Sequence, residues 1–298
     1  MKDDWPGRNR SQGPRNILRV AVNLAWMLLF LWAPRQLRGA ELKPETVRAF
    51  DQYVQQAELR MRDELKSGRS LLWIDGLPDA DRADAYTLLR NGGIIVHPVA
   101  PGLDIPGGMI HDWIGLVFIP NATLDETVAQ IQNYNSYAQI YSPEVTRSKI
   151  LRRNGDDFNI SIRLEKKIVR TVALDVLEDI EYVHLGSSCE YSSAHSIQVV
   201  EVGNSENPPE HRDLAAAGHG YMWKLDAYGW FVQTPQGVYM QFETIALSRD
   251  IPWGLGWLVK PFVTKVPRES LMFTLTRARA SLEAAGEKVA GNVPPPQP

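Results

Sequence analysis

Cysteine is nearly absent from this chain, since Cys189 is the only one among 298 residues. An intrachain disulfide is therefore excluded, and we interpret Cys189 as a small buried residue of a strand. Zinc and nucleotide motifs are also missing, because the six histidines form no H-E-x-x-H motif and no Walker A sequence is found. Gly254 and Gly256 begin a G-x-G pattern, but Val259 stands where the third glycine is required. The sequence predicts neither a metal site nor a cofactor.

The main part of the chain also lacks an excess of positive charge. Residues 1–40 hold seven Lys or Arg against two Asp, a surplus of five, whereas the whole chain carries −3. The remaining residues therefore carry −8. Binding to nucleic acid depends on clustered Lys and Arg that neutralise phosphates. The composition therefore excludes nucleic acid as an expected partner.

No apolar run is long enough for a confident membrane span, which needs about 20 residues. The longest run, Val20 to Ala33, follows four arginines and ends at Pro34. This pattern is typical of a signal peptide, with a cleavage site at Gly39–Ala40. We therefore expect export to the periplasm or the extracellular space. An uncleaved N-terminal anchor is the main alternative, and a cytoplasmic protein is the other.

The sequence divides into four predicted segments. Residues 1–40 are the signal peptide or anchor, and residues 41–108 are an α/β extension docked on the main domain. Residues 109–286 form the main domain, and residues 287–298 form a Pro/Gly-rich, disordered tail. Within the extension, apolar spacing predicts helices over 44–66 and 79–90, and strands over 71–74 and 94–99.

The main domain begins with a predicted strand over 109–119, followed by two short helical segments. Thr123 and Glu126 have the spacing of a capping box, which predicts a helix start. Period-two alternation and turn residues then predict strands, and apolar residues three or four apart predict a closing helix. The predicted strands are 145–151, 158–164, 168–177, 182–193, 221–234 and 238–248, and the closing helix is 267–285.

Three segments carry a resemblance to a known superfamily. They are VFIPNATLDETVAQIQNYNSYAQIYSPEVTRSKIL, GDDFNISIRLEKK and WLVKPFVTKVPRESLMFTLTRARASLE. Their order resembles the START-like superfamily, which includes lipid-transfer domains, coenzyme-Q-binding proteins and polyketide cyclases. The resemblance covers about residues 109–285. It implies an α+β helix-grip fold, in which a curved antiparallel sheet wraps around a long C-terminal helix, here with an N-terminal helical extension.

A curved sheet closed by one helix leaves a hollow, and apolar hollows are the usual sites for small molecules. Aromatic side chains in the segments that would border this hollow suit flat apolar ligands, although any one of them can equally be an ordinary core residue. Trp253 and Trp257 flank a Gly-Leu-Gly sequence and form either a gate, a membrane-surface contact or a hydrophobic plug. The candidate ligand-binding residues are Trp113, Trp223, Tyr228, Trp230, Phe242, Trp253, Trp257, Phe262, Leu271 and Leu275.

His111 and Glu243 are the candidate catalytic residues. His111 and Trp113 share one face of a predicted strand, so His111 is a polar group of the hollow if that face is the inner one. Glu243 lies in an otherwise apolar strand, on the same face as Tyr239 and Gln241. We interpret the face of Glu243 as solvent-exposed. We interpret His111 as an ordinary structural residue unless His111 and Glu243 converge in the hollow.

Three functions are consistent with these features. The first is non-catalytic binding, with possible transport, of an apolar ligand such as a lipid, quinone or polyketide-like molecule. The second is a cyclase or dehydratase that uses the same hollow, and the third is an interaction domain with a filled core. Ionisable groups that converge in the hollow would indicate the enzyme, and a hollow below about 300 Å³ would indicate the interaction domain. We expect an apolar small molecule or lipid as partner, together with possible contact with a membrane surface.

Overall fold

The computed structural model describes residues 42–68, 71–167, 171–202, 222–250 and 256–291, and it describes their side chains except for 171, 256–264 and 287–291. The residues that the structure describes belong to one compact unit. The predicted signal segment lies outside the described residues, and so do residues 203–221. Within the described part of the chain, no helix is long and apolar enough to span a membrane.

Eight strands form one antiparallel sheet, in the order β1-β2-β8-β7-β6-β5-β4-β3. The strands are β1 (Ile94–Ile105), β2 (Gly108–Pro120), β3 (Val145–Asn154), β4 (Asp157–Lys167), β5 (Thr171–His184), β6 (Cys189–Val202), β7 (Met222–Thr234) and β8 (Gly237–Arg249). The described helices are α1 (Pro44–Ser67), α2 (Asp79–Arg90), α3 (Leu124–Ile131), α4 (Tyr137–Ile140) and α5 (Gly256–Gly291). Two short 3-10 turns occur at Trp73–Gly76 and Tyr134–Ser136.

Helix α1 is amphipathic, and its boundaries follow from the residues at its ends. Pro44 occupies its first turn, where the missing N–H costs nothing. Gly68 ends it in the left-handed conformation, with φ of 60°, and donates its N–H to the carbonyl of Leu65. The buried residues recur at intervals of three or four and define one stripe: Thr46, Phe50, Val54, Ala57 and Met61.

The capping box predicted for α3 is present. Glu126 donates its backbone N–H to the Thr123 hydroxyl oxygen at 3.3 Å, and the Glu126 carboxylate accepts the Thr123 backbone N–H at 3.1 Å. This reciprocal pair satisfies two N–H groups that a helix start otherwise leaves unpaired. The helix therefore begins at the residue where the sequence predicts it.

The sheet has an inner face, which packs against α5, and an outer face, which packs against α1. The inner cluster includes Val117, Phe231 and Met240 from the sheet, with Leu271, Leu275, Ala278 and Leu282 from α5. The outer cluster includes Ile114, Leu116 and Trp230 from the sheet, with Phe50, Val54, Ala57 and Met61 from α1. Both faces of the sheet are therefore covered by helices, and β2 is buried at every position except Pro120.

Helix α5 packs tightly on β2 at Gly115. A Cβ atom added to Gly115 would lie 2.6 Å from Cδ1 of Leu275 and 2.9 Å from Leu271. Only glycine leaves room for these leucines, so Gly115 sets the height of α5 above β2. The antiparallel sheet and the closing helix confirm the predicted α+β helix-grip fold with an N-terminal helix.

Some predicted boundaries differ from the structure. Residues 71–74 were predicted as a strand, but Trp73–Gly76 form a 3-10 turn, because the Asp75 carboxylate accepts the N–H groups of Leu71 and Leu72. The closing helix spans Gly256–Gly291 rather than 267–285, since the apolar spacing continues upstream through Val266, Phe262 and Leu258. It also includes residues 287–291 of the predicted tail.

The connection between β5 and β6 lies later in the chain than predicted. Residues 178–181 were predicted to separate two strands, but β5 runs to His184 and the chain turns at Leu185–Ser188. The reason is that Val176, Ile180 and Tyr182 keep the alternation of one face, and all three belong to the inner cluster. Glu178 is therefore a strand residue between two buried apolar neighbours.

Candidate functional site

A row of small residues crosses the centre of the inner face. Ala194 of β6 lies opposite Ala227 of β7, which lies opposite Thr244 of β8. All three are only half-buried, although they lie in central strands. On the outer face of the same strands, Tyr228 and Glu243 are 0% exposed. The centre of the inner face is therefore not fully covered, and surface above Ala194, Ala227 and Thr244 remains accessible.

Aromatic residues border this row on the side nearer α5. Trp113 of β2 lies opposite Thr244, is buried in the inner cluster, and has an indole N–H without a hydrogen-bond partner among the described residues. Phe242 is half-buried and packs against the same cluster. These two residues provide flat apolar surface and one free donor beside the small residues.

Glu178 borders the row on its other side. It lies opposite Ile160 of β4 and opposite Ser196 of β6, so it belongs to the inner face. Burial raises the pKa of its carboxyl to about 7, with a further contribution from the negative charge of Asp226. Sequence reasoning missed this residue because it placed residues 178–181 between two strands. The alternation of Val176, Glu178 and Ile180 is the signal that identifies it.

Tyrosines fill the end of the inner face under the short helices. The hydroxyl groups of Tyr134 and Tyr182 hydrogen-bond to each other at 2.6 Å, and Tyr137 donates its hydroxyl to the carbonyl of Ile131 at 2.6 Å. Burial raises the pKa of Tyr134 and Tyr137, and the charge of Glu178 contributes to both shifts. These hydroxyls therefore remain protonated at neutral pH, and Glu178 is near both rings.

His111 lies on the same face of β2 as Trp113, as their spacing predicted, and this is the inner face. It is 2% exposed, and its Nε2 lies 2.8 Å from the hydroxyl oxygen of Ser248. Burial lowers its pKa, and a hydrogen bond with the backbone of Pro101 opposes that shift. A neutral imidazole with a serine partner has the character of a structural residue at the edge of the inner face.

The structure brings four of the predicted ligand-binding residues to the inner face. They are Trp113, Phe242, Leu271 and Leu275. Trp223, Tyr228 and Trp230 instead belong to the outer cluster beneath α1. The expectation that all of these aromatics border one hollow is therefore wrong for those three. Alternate residues of a strand point to opposite faces, and the sequence alone did not show which face α5 covers.

The remaining predicted residues are not described well enough to place them in the site. Trp253 lies outside the described residues. Trp257 and Phe262 belong to the backbone of α5, but their side chains lie outside the described part. Their ligand-binding roles remain predictions.

Glu243 lies on the outer face, and the expectation that this face is solvent-exposed is wrong. Helix α1 covers it, and Arg60 of α1 donates to the Glu243 carboxylate at 2.5 Å. Because His111 belongs to the inner face and Glu243 to the outer one, the sheet separates them. The two candidate catalytic residues therefore cannot act on one substrate.

The outer face carries further polar contacts between α1 and the sheet. Tyr228 donates its hydroxyl to the Glu58 carboxylate at 2.9 Å. His195 Nδ1 lies 3.5 Å from Asp226, and this contact raises the pKa of His195. Among the described residues, no group of three or more His, Cys, Asp or Glu side chains is placed to hold a metal ion.

Comparisons with known proteins give low similarity. No family model and no curated protein matches the chain. The chain is similar to the structure of a STAR-related lipid transfer protein from Xanthomonas axonopodis, with 16% identity, a TM-score of 0.43, and coverage of 63% of this chain and 98% of that one.

Two further solved structures are similar to the same degree. A START superfamily protein from Mycobacterium smegmatis has 13% identity and a TM-score of 0.41, covering 59% of this chain and 99% of its own. The Zhui aromatase/cyclase from Streptomyces sp. R1128 has 9% identity and a TM-score of 0.41, covering 58% and 94%. With TM-scores this low, the similarity to these structures supports no argument about function. The fold is instead defined by the strand order and by the position of α5.

Proposed function

We propose that this protein binds an apolar small molecule or lipid non-covalently, on the inner face of the sheet beneath α5. The observation that supports this most directly is the half-buried row of Ala194, Ala227 and Thr244. A filled core would bury such residues completely, as it does on the outer face, where Tyr228 and Ile245 are 0% exposed. Space above short side chains with an aromatic border suits an apolar ligand.

The proposal is tested by filling the space. We would replace Ala227 with Phe, and Ala194 with Phe as a second variant, and compare both with Ala83→Phe at an exposed position of α2. Nile red, a neutral apolar dye, should bind the wild type and the Ala83 variant, and its affinity should fall at least about tenfold in the inner-face variants. Circular dichroism would confirm that the variants fold.

The natural ligand is tested separately, on protein purified from its own host. Native mass spectrometry before and after organic extraction should show a retained apolar molecule that extraction removes. Failure of the wild type to bind Nile red, together with no retained molecule, would overturn the proposal. Unchanged dye binding in both inner-face variants would place the dye elsewhere and would also overturn it.

Export and membrane contact are a separate part of the proposal. They are based on the predicted signal segment over residues 1–40. Fractionation of the host, followed by N-terminal sequencing of the mature protein, tests them. A cytoplasmic protein that keeps Met1 would contradict export.

A further inference from the structure

Glu178 is an acidic residue of the inner face beside the half-buried row. It lies on β5 directly opposite Ser196, and its neighbour Ile180 lies opposite Ala194. Glu178 and Ala194 are therefore diagonal neighbours on one face, with Cα atoms about 7–8 Å apart, within reach of a long side chain. The Glu178 side chain is half-buried, like the row itself.

The other buried acids of the sheet have partners, and Glu178 has none among the described residues. Glu243 accepts from Arg60 at 2.5 Å, Glu190 is paired with His184 at 2.7 Å, and Asp226 accepts the backbone N–H of Ser196 at 3.1 Å. No hydrogen bond or ion pair joins the Glu178 carboxyl to the described part of the chain. Because Glu178 is half-buried, its carboxyl is free to hydrogen-bond to a ligand.

The charges around Glu178 do not favour an anion. The titratable groups near it are Asp226, which is acidic, and the phenols of Tyr134 and Tyr137, which are uncharged at neutral pH. In the neighbouring strand β4, Arg163 is paired with Asp175 and Lys166 with Glu144, and Lys167 is exposed at the last position of the strand. Lys224 of β7 donates to the backbone carbonyl of Ser196 at 3.4 Å. A carboxylate or phosphate placed beside Glu178 would therefore meet the negative charges of Glu178 and Asp226, whereas Arg163, Lys166 and Lys224 already have acceptors.

We infer that Glu178 forms the polar end of the ligand site and selects an apolar molecule whose head group is uncharged or cationic, such as a hydroxyl or an amine, over one with an anionic head. This inference rests on the proposed function, because it names the polar group of the same site. In its ionised form Glu178 accepts a hydrogen bond from a hydroxyl or an ammonium group, and in its protonated form it donates one to a hydroxyl oxygen. An anionic head is repelled by the ionised form.

The experiment compares three ligands with the same alkyl chain: decanol, decylamine and decyl sulfate. Each is used to displace Nile red, below its micelle concentration, from the wild type, Glu178→Gln and Glu181→Gln. Glu181 is an exposed residue of the same strand and serves as the matched control. The wild type and the control should bind decanol and decylamine at least about tenfold more tightly than decyl sulfate. In Glu178→Gln, this preference should fall to about threefold or less.

The outcomes separate the inference from the proposed function. If Glu178→Gln binds Nile red and keeps the wild-type preference, the inference is wrong and the proposed function stands. If the wild type binds neither Nile red nor any of the three ligands, the proposed function fails and the inference fails with it. If Glu178→Gln does not fold, the displacement of Nile red by decanol and by decyl sulfate is compared in the wild type at about pH 8 and at about pH 6. Glu178 gains its proton as the pH falls between these two values. The preference for decanol over decyl sulfate should shrink, and an unchanged preference overturns the inference.

Discussion

Asp112 and Glu243 are diagonal neighbours on the outer face of the sheet, and each has one carboxyl oxygen without a hydrogen-bond partner among the described residues. The other oxygens are paired with α1: Asp112 accepts from the Tyr53 hydroxyl at 2.8 Å, and Glu243 accepts from Arg60 at 2.5 Å. The two carboxyl groups are close enough that the charge of Asp112 raises the pKa of Glu243. One proton shared between the two carboxyls would satisfy both unpaired oxygens, whereas two ionised carboxylates cannot hydrogen-bond to each other.

This pair predicts a specific pH dependence of stability. Burial raises the pKa of both carboxyls, and the charge of Asp112 raises that of Glu243 further. The folded state therefore holds a proton that the unfolded chain releases at neutral pH, so stability falls as pH rises toward the raised pKa, by at most about 1.4 kcal/mol per pH unit for one proton. In Glu243→Gln, the amide donates to Asp112 without a titrating proton, and the slope should be flatter.

Thermal unfolding followed by circular dichroism between about pH 6 and about pH 9 measures this difference. Glu283→Gln, at an exposed position of α5, is the control and should keep the wild-type slope. Equal slopes for the wild type and Glu243→Gln would show that no proton is shared.

Arg60 supports the same pair from α1. Its loss leaves the Glu243 carboxylate, which is 0% exposed, without a cation. We expect Arg60→Met to lower the free energy of unfolding by about 3 kcal/mol, because removing one partner of a buried pair costs more than the pair itself contributes. Arg62→Met, two positions away on the exposed side of α1, should change it by about 0.5 kcal/mol or less.

Urea denaturation of Arg60→Met, Glu243→Gln and the double variant completes the test. The double variant should be more stable than Arg60→Met alone, because it buries no unpaired charge. A double variant in which the two losses simply add would mean that the residues do not interact in the folded protein.

The local features of the fold were readable from the sequence. The capping box of α3, the stripe of α1 and the alternation of β4 each depend on residues close together in the chain, so their patterns predict them. The order of these elements also indicated the helix grip. Residues 178–181 are the exception, because the acidic cluster Glu178, Asp179 and Glu181 conceals the apolar alternation of Val176, Ile180 and Tyr182.

The candidate site was only partly predictable, because it depends on which face each strand presents to α5. The alternation groups Glu243 with Tyr239 and Gln241, but both faces of β8 contain apolar residues. Only the docking of α1 shows that the face of Glu243 is buried and that Trp230 belongs there too. Such long-range packing leaves no periodic signal in a single strand.

Cys189 should be inert in the folded protein. Its side chain is 3% exposed, and burial raises the pKa of its thiol to about 11, so little reactive thiolate is present at neutral pH. An aromatic disulfide reagent should modify it only slowly in buffer and rapidly in concentrated urea. A second thiol introduced by Ala83→Cys, at an exposed position of α2, should react at once and shows that the reagent is active. Rapid reaction of native Cys189 would contradict its burial.

Gly115 and Gly286 form a matched pair for testing how α5 rests on the sheet. An alanine Cβ at Gly115 would lie 2.6 Å from Cδ1 of Leu275, whereas one at Gly286 meets nothing within 4 Å. Gly115→Ala should therefore push α5 away from β2 and lower the free energy of unfolding by about 1–3 kcal/mol. Gly286→Ala should raise it by up to about 1 kcal/mol, because alanine favours the helix.

Urea denaturation measures the stability of both variants, and hydrogen exchange localises the effect. Gly115→Ala should speed exchange in α5 around Leu271 and Leu275 while α1 keeps its protection. Equal stability of the two variants would mean that α5 does not contact β2 at Gly115, and the inner site would then lose its cover.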